Sequence, residues 1–312
     1  MNNISEQIRG KRFFITGATG LIGRNLVRYL AANGAEVLAL SRRPTEGVPY
    51  VLGDVRALPA IEGNVDYIIH AASATASAFF AEHPAETIDI AVQGTRNVLE
   101  LAREKRVRGL VYLSSMEVYG FPAKGHTVTE DEVAGFDPTA ARSSYPISKQ
   151  LCEAMCCAYA KEYAVPAKIV RLTQTFGPGV RYDDSRVFAE FMRCAVEKKD
   201  IVLKTKGETE RCYLYTDDAV QAILTVLLYG AAGEAYNAAN PETYCSIAEM
   251  AEMLAKEYDI GVSYKLEDAA RYGYADTMTM QLSVDKLMDL GWKPSVGLPE
   301  AFRKMIDCAE RE

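Results

Sequence analysis

Histidine and clustered basic residues are scarce in this sequence. Its three histidines, His70, His83 and His126, stand far apart, so we expect no metal site. The 35 lysines and arginines are outnumbered by 42 aspartates and glutamates, which gives a formal net charge of −7. No basic run is long enough to grip a phosphate backbone or an anionic membrane surface. The sequence therefore predicts no nucleic-acid partner and no membrane partner.

Long apolar runs are lacking as well. No stretch approaches the roughly 18 consecutive apolar residues that a membrane-spanning helix needs. The first residues run from a polar segment directly into a strand-like segment, without the apolar core and cleavage site of a signal peptide. We therefore expect a cytoplasmic protein.

The chain does have the composition of a globular protein, with 49% hydrophobic and 25% charged residues in 312. In its first half, short aliphatic or β-branched runs alternate with helical periodicity, which is typical of βαβ units and a parallel sheet. Strands are predicted at 13–16, 36–40, 50–54, 67–71, 109–115 and 167–172. The fold class that this pattern predicts is α/β, a Rossmann-type doubly wound parallel sheet.

The pattern of predicted elements changes after about residue 176, where helices are mixed with short strands. We predict a dinucleotide-binding domain over 1–176 and a smaller, interleaved α+β domain over 177–312. The segment 212–240 contains an amphipathic helix and is expected to pack back on the first domain. No low-complexity linker separates the two parts, so a cleft between them is expected.

A glycine-rich turn, GATGLIG, comes after the first predicted strand and begins a helix. Gly17, Gly20 and Gly23 would let the backbone approach a pyrophosphate, which would then lie over the amides at the helix N-terminus. Thr19, Leu21 and Ile22 lie in the same turn and complete the expected contacts. The spacing is that of short-chain dehydrogenases/reductases and predicts an NAD(P) site.

The end of the second strand carries Ser41, Arg42 and Arg43, where a carboxylate would bind the ribose 2′-hydroxyl of NAD. An arginine there can pair with a 2′-phosphate, so NADP is slightly favoured over NAD. Asp54 and Val55 are expected near the adenine. Three further residues, Ala71, Ala72 and Ser73, are expected to run beside the dinucleotide.

Tyr145 and Lys149 are four residues apart in YPISK, which places both on one face of a helix. A phenol with a pKa of about 10 is a poor base at neutral pH, but a neighbouring ammonium favours its phenolate. Ser115, at the end of the preceding strand, would hydrogen-bond the reacting oxygen while Tyr145 removes its proton. These three residues predict oxidation of an alcohol with a nicotinamide cofactor.

With these motifs the sequence resembles the extended short-chain dehydrogenase/reductase family, in particular its NAD-dependent epimerase/dehydratase group, which modifies nucleotide sugars. The resemblance covers nearly the whole chain and includes QGTRNVLE, RLTQTFGPG, ETERCYLYTDDAV and LGWKP. It implies that the second domain binds a nucleotide sugar, with Arg211 and Arg186 near the phosphates. It also implies a homodimer formed through two long helices, near 95–105 and 148–163.

Members of the group share an oxidation of the sugar, usually at C4, and differ in the chemistry after that step. Dehydratases have an Asp-Glu pair after the hydroxyl residue, and here Met116 replaces the Asp and cannot donate a proton to a leaving hydroxyl. Glu117 matches the retained Glu, which decarboxylases also have, and is therefore a candidate catalytic residue. Gln174 is a candidate substrate contact, although relatives often have Asn there and also at the position of Ala91. We predict a nucleotide-sugar 4-epimerase, ahead of a decarboxylase and then a dehydratase.

Two alternatives differ in kind. The Arg42-Arg43 turn suits a consumable NADPH, which would make the protein a keto-sugar reductase. The second alternative is a regulatory protein that binds a dinucleotide but has no catalytic activity. Such a protein would not need Ser115, Tyr145 and Lys149 together.

Overall fold

The computed structural model describes residues 3–45, 47–75, 77–132, 134–266 and 277–311. Its centre is a seven-stranded sheet in which all neighbouring strands are parallel. In chain order the strands are β1 (Arg12–Thr16), β2 (Glu36–Ser41), β3 (Tyr50–Leu52), β4 (Tyr67–His70), β5 (Gly109–Ser115), β7 (Ala167–Leu172) and β11 (Ala235–Ala238). The spatial order is β11-β7-β5-β4-β1-β2-β3, so the direction of winding reverses between β1 and β4. Ligands of such sheets bind outside the carboxyl ends of the strands at this reversal.

Helices cover both faces of this sheet because successive strand residues point to opposite sides. Phe13 and Ile15 of β1 pack in one core, and Phe14 between them packs in another. The helices around this sheet are α1 (Ile4–Ile8), α2 (Leu21–Ala32), α3 (Ser77–Glu82), α4 (Pro84–Lys105), α5 (Ser144–Tyr163) and α7 (Thr216–Tyr229). Residues of α2 and α7 share the core of Phe13, whereas residues of α4 and α5 share that of Phe14. The sheet is therefore doubly wound.

The remaining strands form two smaller sheets. These strands are β6 (Thr127–Val128), β8 (Gln174–Phe176), β9 (Ile201–Leu203), β10 (Glu210–Tyr215), β12 (Asn240–Ser246), β13 (Val262–Tyr264) and β14 (Thr279–Leu282). One sheet has the order β12-β10-β14-β6, with β8 also pairing with β10, and the other pairs β9 with β13. The helices that accompany them are α6 (Val187–Glu197), α8 (Ile247–Tyr258), α9 (Asp285–Met288) and α10 (Leu298–Ala309). Phe176, Phe188 and Phe302 pack together in the core that these smaller sheets and helices share. The ring centroid of Phe176 lies 4.7–5.0 Å from those of the other two.

The predicted α/β class is confirmed, and the six strands predicted in the first half all belong to the large sheet. β11 joins that sheet from the segment 212–240. The division into domains at residue 176 stays a prediction. Within the described residues, no helix is both long and apolar enough to cross a membrane.

Candidate active site

The glycine turn lies at the carboxyl end of β1, where its backbone packs too closely against neighbouring backbone to admit side chains. Gly17 has a φ of +69°, and a Cβ there would lie 2.7 Å from the backbone of Ala71 and Ala72. A Cβ on Gly23 would collide with the carbonyl oxygen of Gly17. Gly20 precedes α2 as its N-cap, and no side chain of the described residues caps that helix end.

The remaining predicted residues of this turn, Thr19, Leu21 and Ile22, lie at the tip of the turn and at the start of α2. Free backbone amides and the positive end of a helix dipole favour a pyrophosphate at this point. The residues present therefore fit a dinucleotide.

The edge of the site beside β2 carries the predicted basic turn. The Ser41 hydroxyl donates a hydrogen bond to the Arg43 carbonyl at 2.6 Å, and the side chains of Arg42 and Arg43 are exposed. The Asp54 carboxylate accepts hydrogen bonds of 2.9–3.0 Å from the backbone and guanidinium of Arg56. The hydrogen bond from Arg56 lowers the pKa of Asp54. Sequence reasoning did not identify Arg56, which holds Asp54 against the loop.

The segment after β4 closes the turn from the other side. The Thr16 hydroxyl accepts a hydrogen bond of 3.2 Å from the Ala72 amide, which fixes Ala71, Ala72 and Ser73 beside Gly17. Val55 is buried under α4, where its methyl groups approach Gly94. Ala71 and Ala72 therefore lie against the glycine turn, whereas Val55 packs in the core and the side chains of Arg42 and Arg43 are exposed.

Tyr145 and Lys149 come together on α5, next to the end of β5. Lys149 Nζ donates a 2.7 Å hydrogen bond to the Leu113 carbonyl and lies 5.7 Å from the centre of the Tyr145 ring. Burial lowers the pKa of Lys149 to about 8. Burial, followed by the negative charge of Glu117, raises the pKa of Tyr145, while the Ser115 hydroxyl and Arg142 lower it. An added positive charge at this point is therefore needed before Tyr145 can act as a base at neutral pH.

Ser115 is the last residue of β5, and Glu117 lies in the turn that follows it. The Ser115 hydroxyl accepts a 3.2 Å hydrogen bond from the Glu117 amide and caps the short 3₁₀ helix Met116–Tyr119. Met116 is buried, and its sulfur accepts a hydrogen bond from the Thr173 hydroxyl at 3.3 Å. The residue next to Ser115 therefore points into the core and offers no acid to a substrate.

Two residues that sequence reasoning missed border Tyr145. The Phe80 ring stacks on the Tyr145 ring, with centroids 4.7 Å apart and planes 15° apart. Arg142 donates a 2.9 Å hydrogen bond to the Glu117 carboxylate. The spacing of Arg142, three residues before Tyr145, could have revealed it as a neighbour on the same side of the chain. No local sequence pattern identifies Phe80 as a neighbour of Tyr145, because the two residues lie far apart in the sequence.

The predicted substrate residues lie in and beside the smaller sheet. Gln174 begins β8 and pairs with Tyr213 of β10, two residues from Arg211. Arg211 Nε is buried and has no hydrogen-bond partner among the described residues, so its N–H is available to donate to a ligand oxygen. Arg186 is instead held by Asp184, with N–O distances of 2.6 and 2.9 Å. A phosphate bound by Arg186 would have to share the guanidinium with this carboxylate.

Metal ligands are not clustered in the described ranges, where no group of three or more His, Cys, Asp or Glu side chains could hold an ion. His70, at the end of β4, hydrogen-bonds Thr16 at 2.7 Å and Thr95 at 3.2 Å. Burial, assisted by Lys149, lowers the pKa of His70 to about 3, so the imidazole is neutral.

Comparison with known proteins adds a family and several relatives. The model of the NAD dependent epimerase/dehydratase family matches residues 13–239. UDP-glucuronic acid decarboxylase 1 of Xenopus tropicalis is 29% identical over 322 residues, covering 99% of this chain and 74% of the relative.

Solved structures share the fold. UDP-glucose 4-epimerase of Thermotoga maritima, in complex with UDP-glucose, has a TM-score of 0.83 at 21% identity, covering 96% of this chain and 99% of the epimerase. A dTDP-glucose 4,6-dehydratase of Streptomyces venezuelae, solved with NAD, has a TM-score of 0.82 at 24% identity, covering 96% and 97%. At these identities the likeness establishes the fold alone.

Proposed function

The chain belongs to the NAD dependent epimerase/dehydratase family, and we propose that within this family it decarboxylates a UDP-linked hexuronic acid, with UDP-glucuronic acid as the first candidate. Glu117 beside buried Met116, whose thioether cannot act as the acid that a dehydratase needs, is the observation that carries the proposal. The similarity to a UDP-glucuronic acid decarboxylase along 99% of the chain supports it. The 4-epimerase predicted from the sequence has no comparable support.

The first step of this reaction is removal of the C4 hydroxyl proton by Tyr145. The Lys149 ammonium stabilises the phenolate, and the Ser115 hydroxyl hydrogen-bonds the same substrate oxygen. A bound NAD(P) supplies a hydride acceptor for C4 and later returns the hydride. Phe80 and the burial of Tyr145 exclude water from this point.

The second step uses the ketone that oxidation leaves at C4, because the C6 carboxylate is then β to a carbonyl. The C5–C6 bond breaks, carbon dioxide leaves, and the electron pair moves into the enolate at the C4 oxygen. Ser115 and the protonated Tyr145 donate hydrogen bonds to that oxygen as its charge grows. A proton taken up at C5 gives the 4-keto-pentose, and return of the hydride to C4, with a proton from Tyr145 to the C4 oxygen, completes the UDP-pentose. The thioether of Met116 cannot protonate a departing hydroxyl, so dehydration is disfavoured.

The proposal is tested by incubating the protein with UDP-glucuronic acid and NAD and identifying products by mass spectrometry and NMR. We expect carbon dioxide and a UDP-pentose. Tyr145→Phe should reduce turnover by at least about 100-fold while the dinucleotide still binds, because it removes only the acid–base group. Tyr264→Phe, at an exposed position on β13, is the matched control and should leave turnover unchanged.

Other outcomes of this assay point elsewhere. Formation of UDP-galacturonic acid would move the 4-epimerase to first place, and loss of water would indicate a dehydratase. Oxidation of NADPH in the presence of a keto-sugar, without turnover of UDP-glucuronic acid, would support the reductase. Full activity of Tyr145→Phe would overturn the assignment of this residue as the base.

The preference for NADP over NAD is a finer proposal that rests on the edge of the site beside β2. Arg42 and Arg43 are exposed there, and the Ser41 hydroxyl already bonds to the Arg43 carbonyl. Asp54 and Glu86 share the guanidinium of Arg56, while Arg42 and Arg43 supply two positive charges with which a 2′-phosphate can pair. Mass spectrometry of the dinucleotide released by denaturing the fresh protein decides between the two cofactors.

A homodimer through α4 and α5 is the expected assembly. The two helices pack side by side, and Ile88, Leu151 and Tyr163 are exposed on them by 41–47%. Exposed apolar side chains of this size on adjacent helices suit a second copy of the same chain. The mass in solution, measured by light scattering, should be twice that of the chain, and Leu151→Glu should return it to one copy.

A further inference from the structure

Arg142 connects two groups that face Tyr145 from different segments of the chain. Its guanidinium donates a 2.9 Å hydrogen bond to the Glu117 carboxylate, and its Cζ lies 4.6 Å from the centre of the Phe80 ring. Phe80, only 1% exposed, stacks on Tyr145 in turn. A planar cation suits both contacts, because a guanidinium can pair with a carboxylate and stack on an aromatic face at once.

The charges around Tyr145 explain why this connection has a chemical consequence. Glu117 approaches from the turn after β5 and opposes ionisation of the phenol, whereas Arg142 favours it. Lys149, on α5, adds a second positive charge. On β5 and β4 the neighbouring titratable groups, Tyr112 and His70, are both held uncharged by burial. Arg142 is therefore the counter-charge that offsets Glu117 at the base.

We propose that Arg142 is a positioning residue: it holds Glu117 and Phe80 against Tyr145 and cancels the negative charge of Glu117 at the phenol. Without it, the buried pocket of Tyr145 would face an unpaired carboxylate, which disfavours a second negative charge nearby. The proposal rests on the role of Tyr145 as the base but not on which sugar is the substrate.

The side-chain exposures at this ion pair agree with such a role. Arg142 is 42% and Glu117 28% exposed, so the pair lies at the mouth of the site rather than in the core. An ion pair at this exposure contributes little to folding stability. Loss of Arg142 should consequently change the chemistry of Tyr145 more than the stability of the protein.

The experiment is a pair of pH titrations on the dinucleotide-loaded protein and its variants Arg142→Gln, Arg142→Lys, Glu117→Gln and the double variant Arg142→Gln/Glu117→Gln. The first readout is the pH profile of kcat/KM with UDP-glucuronic acid. The second is the ¹³Cζ resonance of labelled tyrosine between about pH 6 and about pH 11, assigned by comparison with Tyr145→Phe. Arg108→Gln is the matched control, because it breaks an arginine–carboxylate pair of 3.0 Å at the opposite end of β5.

We expect Arg142→Gln to move the ionisation of Tyr145 to higher pH by about 1 unit and Glu117→Gln to move it to lower pH. The double variant should return close to the wild type, because both opposing charges are gone. Arg142→Lys should restore most of the ionisation behaviour, since it retains the charge. The kcat of Arg142→Lys should stay below that of the wild type, since lysine lacks the planar guanidinium that contacts the Phe80 ring.

Titration curves that coincide in all variants would overturn the proposal, as would a Tyr145 resonance that stays at the phenol position up to about pH 11 in every variant. The two readouts separate this inference from the proposed function. A protein that does not turn over UDP-glucuronic acid but shows the opposite shifts by NMR retains the role of Arg142 and refutes only the decarboxylase.

Discussion

His70 illustrates how a single buried side chain makes the stability of the fold depend on pH. It ends β4, one residue before the segment that lines the glycine turn, and its ring nitrogens bond to Thr16 of β1 and Thr95 of α4. With a folded pKa of about 3 against about 6.5 when unfolded, the native state disfavours protonation. Neutral His70 therefore contributes to the free energy of unfolding above pH 6.5, and this contribution is lost as the pH falls from 6.5 towards 3.

We predict that His70→Gln flattens the acid side of the stability curve. Between pH 7 and pH 5 the wild type should lose about 2 kcal/mol through protonation of unfolded His70, and the variant should not. Urea unfolding at the two pH values measures the difference. His83→Gln, at an exposed position, is the control and should keep the wild-type pH dependence. An equal loss in His70→Gln and the wild type would contradict the assignment.

Single residues also mark the limit of sequence reasoning about the site. Tyr145, Lys149 and Ser115 could be named because their spacing on one helix and at one strand end has a direct chemical meaning. Phe80 could not, because its contact with Tyr145 joins distant segments, and the pairing of Arg142 with Glu117 also joins two segments that no local pattern relates. These contacts decide how acidic the named groups are.

At the scale of elements, α7 depends on a segment that lies far away in the sequence. Asp218, in its first turn, is 4% exposed and accepts hydrogen bonds from the Ser295 amide and hydroxyl and the Val296 amide, at 2.7–3.0 Å. The Trp292 indole donates to the Asp218 carbonyl at 3.1 Å. A carboxylate that accepts these bonds joins α7 to the chain before α10 and suits the positive end of the helix.

Replacing this carboxylate should therefore weaken the whole element. Asp218→Asn retains one acceptor oxygen and turns the other into a donor, which leaves a buried amide unpaired at a cost of about 1–3 kcal/mol. Asp217→Asn, at an exposed position in the same turn, should cost less than about 1 kcal/mol through the helix dipole alone. Thermal unfolding of the two variants checks the prediction, which equal losses would refute.

Elements of the large sheet could be predicted well because its predicted strands are continuous and, except for the exposed edge strand β3, mostly buried. The predicted strands at 109–115 and 167–172 coincide with β5 and β7, and the others differ by one or two residues at their ends. The strand pairing in the smaller sheet that contains β6 could not be predicted from the sequence. β6 has two residues, and it pairs with β14, about 150 positions later, so local sequence does not determine its partner.

At the scale of the molecule, a buried polar network joins the two main sheets. Arg171 of β7 forms an ion pair with Glu153 of α5 at 2.7 Å, and both side chains are about 10% exposed. Arg171 also donates to the hydroxyl of Tyr119, which donates to Asn237 of β11, both at 2.7 Å. The Asn237 side chain donates to the Ser283 carbonyl, just after β14, at 3.1 Å.

This network predicts strong coupling between its charged members. Arg171→Met leaves the Glu153 carboxylate buried without its partner, and Glu153→Leu strands the guanidinium, so each should cost about 3–5 kcal/mol. The double variant should be less destabilised than the sum of the two, because two apolar side chains replace the pair without an isolated charge. Urea unfolding of the four proteins in a double-mutant cycle measures the coupling. Additive losses would mean that this ion pair contributes no more than a surface one.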